Sequence, residues 1–273
     1  MNYFTLLVSI YKNNNVIEII KLIKSINSQS LYPGEVLFIY DGPIKIEVDN
    51  YIKKIKNIKI IKNYKNLGLG NSLKKGVLSA KYPIIIRCDV DDINLNSRFK
   101  ILYKTFLNNQ KFDVIGSLQE EIYYNIKFIK KIPYKNSEIK KNLTFRNCIN
   151  HPTVLLKKKT IIKSGNYENV GKYLNCNNFE DYYLWLKMRK INARFINIQK
   201  TLIKSQINKK FFERRVGENM IINYKMFLRK CYKNKLLSKY SIFVNYFIRI
   251  LIYKMPTKYF INFARIFLRF KIN

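Results

Sequence analysis

An unbroken apolar run, Phe4 to Ile10, stands at the start of the chain. Continuous apolar character is what a parallel strand buried on both faces requires. Val16, Ile19, Ile20, Ile23 and Ile26 then fall at helical spacing. Val36 to Ile39 predicts a second strand, ended by the turn sequence Tyr40-Asp41-Gly42-Pro43, and Ile58 to Ile61 a third. A loop, Asn66-Leu67-Gly68-Leu69-Gly70, feeds a helix to about Ala80. Pro83 opens a fourth strand, Ile84-Ile85-Ile86, which runs into Arg87-Cys88-Asp89-Val90-Asp91-Asp92. A helix around Phe99 to Leu107 follows, then a strand near Val114-Ile115. This alternation predicts an α/β fold with a mostly parallel sheet sandwiched by helices. Ligands in such sheets sit outside the carboxyl ends of the strands.

The second half is less regular. His151-Pro152-Thr153 leads into a short strand, Val154 to Leu156. Phe179-Glu180-Asp181 opens a helix carrying Leu184, Trp185 and Met188, and Ala193 to Ile198 reads as a last strand. Residues 219 to 273 hold twelve Lys or Arg and no acid. Within them, Tyr240 to Met255 is largely apolar, with Asn245 and Arg249 on a narrow polar stripe. After Pro256, the residues Lys258, Asn262, Arg265 and Arg269 keep helical spacing, with Phe260, Phe263, Phe267 and Phe270 among the apolar positions between them. Basic amphipathic helices bearing aromatics lie in membrane interfaces, although the same faces also suit packing on a neighbouring domain. The missing acids favour an anionic membrane surface. The division predicted is a domain over 1–205 and a basic amphipathic helical extension over 206–273.

Composition narrows the picture. An apolar share of 48% in 273 residues supports a substantial core and excludes wholesale disorder. No charge-free apolar stretch of about 18 residues exists, so no membrane-spanning helix is expected. The start, Met1-Asn2-Tyr3-Phe4, lacks the basic region of a signal peptide. Fifty-two Lys and Arg against 17 acids give +35, a field that attracts nucleic acid, anionic lipid or phosphorylated substrates. The abundance of Lys, Asn and Ile also matches an A/T-rich genome, which makes part of that charge plain solvated surface. Cys88, Cys148, Cys176 and Cys231 are scattered, which indicates neither a zinc site nor a disulfide framework and fits a reduced, cytosolic compartment.

Asp89, Asp91 and Asp92 are the strongest chemical signal. In extended backbone Asp89 and Asp91 share a face and Asp92 takes the other. Crowded carboxylates raise one another's pKa unless a cation neutralises them. A hard divalent ion accepts few protein carboxylates and completes its shell with water and phosphate oxygens, so the cluster suits Mg²⁺ or Mn²⁺ on a diphosphate. Helix capping accounts for Asp92 alone. Arg87 reads either as a phosphate contact or as an ion-pair partner of these acids. The Gly68/Gly70 loop is no dinucleotide fingerprint, because Leu73 takes the third glycine's place. Glu180 and Asp181 point about 100° apart on a helix, so one of them faces a given site. His151, the only histidine, reads first as a hydrogen-bonded structural residue.

Together these stretches resemble glycosyltransferase family 2, in the bacterial polysaccharide-synthesis, amylovoran-like branch. The resemblance rests on Val8-Ser9-Ile10-Tyr11, Tyr40-Asp41-Gly42, Asn66 to Gly70, Arg87 to Ile93 with Arg98-Phe99, His151 to Val154, and Glu180 to Leu186, in the family's order. It implies a GT-A fold, with the nucleotide-sugar bound by residues 1–117 and the acceptor by 118–205. It implies inverting transfer from a nucleotide-sugar, a UDP-sugar foremost, to a glycan or lipid-linked acceptor at the inner face of the cytoplasmic membrane. By the same resemblance Ser9, Tyr11, Asp41, Asn66, Gly68, Arg87 and Asp89 bind the donor. Asp91, with Asp89, holds Mn²⁺ or Mg²⁺. Asp181 is the general base, with Glu180 as the alternative, and His151 and Trp185 stand on the acceptor side. The branch often carries a Pro after the aspartates, where this chain has Asn94-Leu95-Asn96. Two rival readings are a nucleic-acid-binding protein, which leaves the aspartates unexplained, and a nucleotidyltransferase, which lacks its basic glycine-rich loop.

Overall fold

The computed structural model describes residues 3–173 and 178–272; Cys176, Met1 and Asn2 lie outside them. The chain runs β1 (Phe4–Ile10), α1 (Val16–Asn27), β2 (Glu35–Tyr40), α2 (Ile46–Lys53), β3 (Ile58–Lys62), α3 (Leu69–Ser79), β4 (Ile84–Cys88), β5 (Asp92–Asn94) and α4 (Arg98–Asn108). It continues through β6 (Val114–Tyr123), β7 (Ile126–Lys130), α5 (Asn136–Asn142), β8 (Leu155–Lys157), α6 (Lys158–Lys163), α7 (Glu180–Lys190) and β9 (Phe195–Gln206). The extension holds α8 (Lys209–Glu213), α9 (Glu218–Lys233), α10 (Lys239–Lys254), α11 (Thr257–Phe267) and β10 (Arg269–Ile272).

The expected mostly parallel sheet is present. Its strand order is β10-β7-β6-β8-β4-β1-β2-β3, with β9 joining β5 to β6. β1 pairs parallel with β2 and β4, and β2 with β3. β8 pairs antiparallel with both β4 and β6, which makes those two run the same way. β1 shows why its sequence is continuously apolar: Phe4, Leu6, Val8 and Ile10 enter one core layer and Leu7 the other. α1 starts on a capping box: the Asn15 side chain accepts from Glu18 N, and the Glu18 carboxylate accepts from Asn15 N. Such a cap stabilises the helix by about 1 kcal/mol. Strand order reverses between β1 and β4, so Tyr11, Asp41 and Asp89 emerge on one carboxyl edge, where a crevice forms.

The extension packs on the rest of the protein. Met220, Tyr224, Phe227 and Leu228 of α9 are buried in the same core layer as Phe179, Tyr182 and Tyr183. Phe227 stacks on Tyr182 at 4.9 Å between ring centroids. Three sequence expectations shift here. The helix expected through Phe270 stops at Phe267, because Arg269 to Ile272 pair antiparallel with β7 and satisfy that strand's open backbone groups. The strand expected to end at Ile198 runs on to Gln206 alongside β6. The strand expected from Val154 begins at Leu155, after a 3₁₀ turn over His151–Thr153.

Candidate active site

The carboxyl edge opens into a cleft of about 840 Å³, within the size range of ordinary ligand sites. Ser9, Tyr11, Asp41, Asn66, Gly68, Arg87, Asp89, Asp91, His151, Glu180 and Asp181 all line it. Trp185 does not: it is fully buried, edge-on to His151 at 5.9 Å between ring centroids.

At one end the glycine loop is held by side chains. Asp41 Oδ1 accepts from Leu67 N (2.7 Å) and Gly68 N (3.1 Å), and Asn66 Oδ1 also accepts from Gly68 N (2.9 Å). Gly68 sits at φ 80°, a conformation that L side chains rarely adopt. Gly70 is small for a different reason: a Cβ there would stand 2.6 Å from the Glu168 carbonyl carbon. Tyr11, at the end of β1, is partly exposed and donates its N–H to Asn14 Oδ1.

The aspartates do not continue the strand. β4 ends at Cys88, the chain turns at Val90 and Asp91, and Asp92 begins β5, pairing with Ser205 of β9. The three therefore separate into three roles. Asp89 is ion-paired with Arg87, which is 2% exposed and also lines the cleft. Asp92 is buried, accepts a bond from Ser205 Oγ, and is pushed far above the usual carboxylate range by burial and then by Asp89 and Asp91. Asp91 is exposed into the cleft while protein crowds its other sides; desolvation, then the Asp89 charge, pushes it up to about 6. Beneath them Arg98, fully buried, donates to Arg87 O (2.6 Å), Pro152 O (2.7 Å) and the Asn94 side chain. Asn94 in turn donates to Ser25 Oγ at 2.9 Å. One guanidinium thus ties the ends of β4, β5 and the 151–153 turn together, so the Asn94-Leu95-Asn96 segment is fixed by side-chain bonds where the branch often uses a proline.

Among the described residues no group of three or more His, Cys, Asp or Glu converges at metal-ligand spacing. Asp91 nevertheless fits a divalent ion carried by a diphosphate, which needs one or two carboxylates from the protein. Its proton affinity is raised by neighbouring negative charge, and Arg87 serves Asp89 first.

Deeper in the cleft, Phe179 adopts a left-handed conformation (φ 57°) that launches α7, placing Glu180 and Asp181 on its first turn. Asp181 Oδ2 accepts from Asn147 Nδ2 (2.7 Å), and its Oδ1 accepts from Tyr182 N (2.6 Å). Burial raises its pKa, and these two bonds oppose the rise. Glu180 is 8% exposed and is pushed up to about 7, by burial first and then by Asp181. His151 shares a 2.9 Å hydrogen bond between Nε2 and Tyr167 Oη, and burial holds it well below the ordinary imidazole range. It is a neutral, wedged ring, as its lone position before a proline suggests.

Residues 6–163, more than half of the chain, match the model of Glycosyl transferase family 2. The chain belongs to this family. Family membership replaces nucleic-acid binding and nucleotidyl transfer as readings of the cleft. The UDP-Gal:alpha-D-GlcNAc-diphosphoundecaprenol beta-1,3-galactosyltransferase of Escherichia coli is 31% identical, over 94% of this chain and 93% of its own. The amylovoran biosynthesis glycosyltransferase AmsE of Erwinia amylovora is 26% identical, over 80% of this chain and 81% of its own. Among solved structures, GalNAc-T7 with UDP, GalNAc and Mn²⁺ superposes with a TM-score of 0.60 at 13% identity, over 82% of this chain and 47% of its own. S. aureus TarS 1-349 in complex with UDP gives 0.57 at 17%, over 86% and 69%. These two likenesses establish the GT-A fold of this family 2 member.

The sequence did not point to Asn147, which orients Asp181, nor to Lys130, Arg146, Arg214 and Arg215 on the same wall. The one available sign was the isolated Arg249 on the polar stripe of α10, which also reaches the cleft.

Proposed function

We propose that the protein is an inverting transferase that moves a sugar from a UDP-sugar to a hydroxyl of a lipid-linked glycan, in surface-polysaccharide synthesis. What carries the reading is one cleft with Asp91 exposed at the end of β4 and Asp181 anchored by Asn147 on α7. The UDP in the TarS complex, and the Mn²⁺ with UDP in that of GalNAc-T7, support the donor class and the metal. The E. coli relative's diphosphoundecaprenol substrate supports the acceptor class.

The residues divide the work. Ser9, Tyr11 and Asp41 receive the base, Tyr11 by stacking; Asp41 has one oxygen committed to the glycine loop and the other left for the ligand. Asp89, steadied by Arg87, meets the ribose. Asp91, with Asp89 beside it, holds the divalent ion, which neutralises charge on the departing diphosphate as a Lewis acid. Asp181 takes the proton of the attacking hydroxyl as the new bond forms. Attack opposite the leaving group, without a covalent stage, inverts the anomeric centre. Thermal-shift titration of UDP-, GDP- and dTDP-sugars with and without Mn²⁺ tests the donor reading. A shift for UDP-sugars that needs Mn²⁺ is expected, and an absence of any nucleotide-dependent shift would sink it.

The extension also offers a membrane face. No helix among the described residues is long and apolar enough to cross a bilayer. On α10, however, Phe243, Phe247 and Leu251, spaced four apart, are 62%, 52% and 67% exposed, and Tyr259, Ile266 and Phe267 of α11 are exposed as well. With the basic residues around them, these side chains suit the interface of an anionic membrane. Changing Phe243, Phe247 and Leu251 together to Ser should weaken binding to phosphatidylglycerol vesicles roughly tenfold or more, with UDP–Mn²⁺ binding retained. Unchanged vesicle binding would remove the membrane from this face.

A further inference from the structure

Five cations gather at the end of the cleft around Asp181, drawn from separate segments. Lys130 closes β7, Arg146 follows α5, Arg214 and Arg215 link α8 to α9, and Arg249 projects from α10. None of the five is ion-paired with a carboxylate among the described residues; the nearby Glu121 is taken by Arg269 of β10. Three of them are braced by other means. Arg215 lies flat over the Phe211 ring, 3.6 Å from its centroid, and donates to Phe211 O at 2.5 Å. Arg146 donates to Asn142 Oδ1 at 3.2 Å, and Arg249 to Phe145 O at 3.3 Å. Like charge held this way in a concave, partly desolvated wall is costly until an anion arrives. The strain shows in Lys130, pushed down to about 8 by burial first, with Arg269 and Arg146 adding to the fall.

The anion that fits is set by place and by charge. The carboxylates that act on Lys130 and Arg215 are Glu121 and Asp181. The basic wall is built by β7, the segment after α5, the α8–α9 link and α10, whereas Asp91 stands on the turn between β4 and β5. The donor's own diphosphate belongs with Asp91. This separate set of cations suits a second polyanion, one brought by the acceptor.

Resting on the transfer reading above, we propose that Arg146, Arg215 and Arg249, with Lys130, bind a diphosphate ester on the acceptor, the group that joins a glycan to its lipid carrier. Forked guanidinium groups match phosphate oxygens in pairs and add geometric selectivity to charge. Helix α10 then does two jobs: Arg249 faces the cleft while Phe243, Phe247 and Leu251 lie exposed. The diphosphate is held beside Asp181 while its hydrocarbon remains near the apolar side of the same helix.

Calorimetry on the full chain tests the assignment, with dodecyl diphosphate, dodecyl phosphate, uncharged dodecyl maltoside, UDP with Mn²⁺, and phosphatidylglycerol vesicles as probes. The unaltered protein should bind dodecyl diphosphate more tightly than the monophosphate or the maltoside. Arg146→Gln and Arg249→Gln should each weaken dodecyl diphosphate roughly tenfold or more and leave UDP–Mn²⁺ affinity unchanged, which also certifies their folding. Lys239→Gln, exposed on α10 outside the cleft, should change neither. Equal affinity of the unaltered protein for the three dodecyl compounds overturns the proposal without need of any variant. So does a parallel fall in UDP–Mn²⁺ affinity, which would give these arginines to the donor, or a loss confined to vesicles, which would give them to bulk lipid headgroups. Failure of UDP–Mn²⁺ to bind the unaltered protein would instead strike the donor reading, while leaving the dodecyl comparison standing.

Discussion

Replacing Asp91 by Asn should lower sugar transfer roughly a thousandfold, the equivalent of about 4 kcal/mol of lost charge stabilisation, and should remove the Mn²⁺ dependence of UDP-sugar binding. The substitution keeps the shape of the side chain and deletes the charge that opens into the cleft. Folding is not at stake, because the native protein already pays to keep Asp91 ionised beside Asp89, and removing that repulsion leaves the apo melting temperature at or above its starting value. Steady-state transfer, donor titrations with and without Mn²⁺, and a melting curve make the comparison. Turnover within tenfold of the unaltered enzyme would take Asp91 out of the metal site.

The second large effect is expected at Asp181. Asp181→Asn should leave UDP-sugar affinity within roughly twofold and reduce turnover by about 10²- to 10⁴-fold, the range that a positioned general base contributes. The asymmetry is expected because Asp181 is held by Asn147 and Tyr182 N on α7, whereas the residues proposed to hold the donor stand on the glycine loop and the β4 turn. Glu180 is the neighbour to exclude. It is buried, and among the described residues it lacks a side-chain hydrogen bond like the one Asn147 gives Asp181. Full activity in Asp181→Asn, together with loss in Glu180→Gln, would transfer the role to Glu180.

The strands of the first half were legible because their signals are local. A strand buried on both faces announces itself as an apolar run, and β1, β2 and β4 do so ahead of the residue that enters the cleft, while the edge strand β3 carries exposed Lys59 and Lys62. The acidic cluster was legible as chemistry and misleading as geometry. Extended backbone would put Asp89 and Asp91 on one face, but Asp92 is drawn across to Ser205, a partner 113 positions away that no window of sequence reveals. Helix α2 escaped notice because only Val48 and Ile52 of its eight residues are buried, one turn apart. The basic wall was hidden differently. Its members come from four segments and stand among 52 Lys and Arg, so spacing could not separate them from solvated charge. Strand β10 looked helical because Arg265 and Arg269 are four apart, yet Arg269 has its partner in Glu121 on β6.

That last pairing affects the order in which the protein is made. Ser9 through Asp92 leave the ribosome early and carry the glycine loop and the β4 turn, whereas the Arg269–Glu121 bond and the β7–β10 ladder wait until residues 269–272 have been made. The side of the cleft that holds Lys130 is thus a late seam between distant parts of the polypeptide. A fusion partner attached after Lys271 would border that side, so an affinity tag placed there tests the enzyme in a perturbed form.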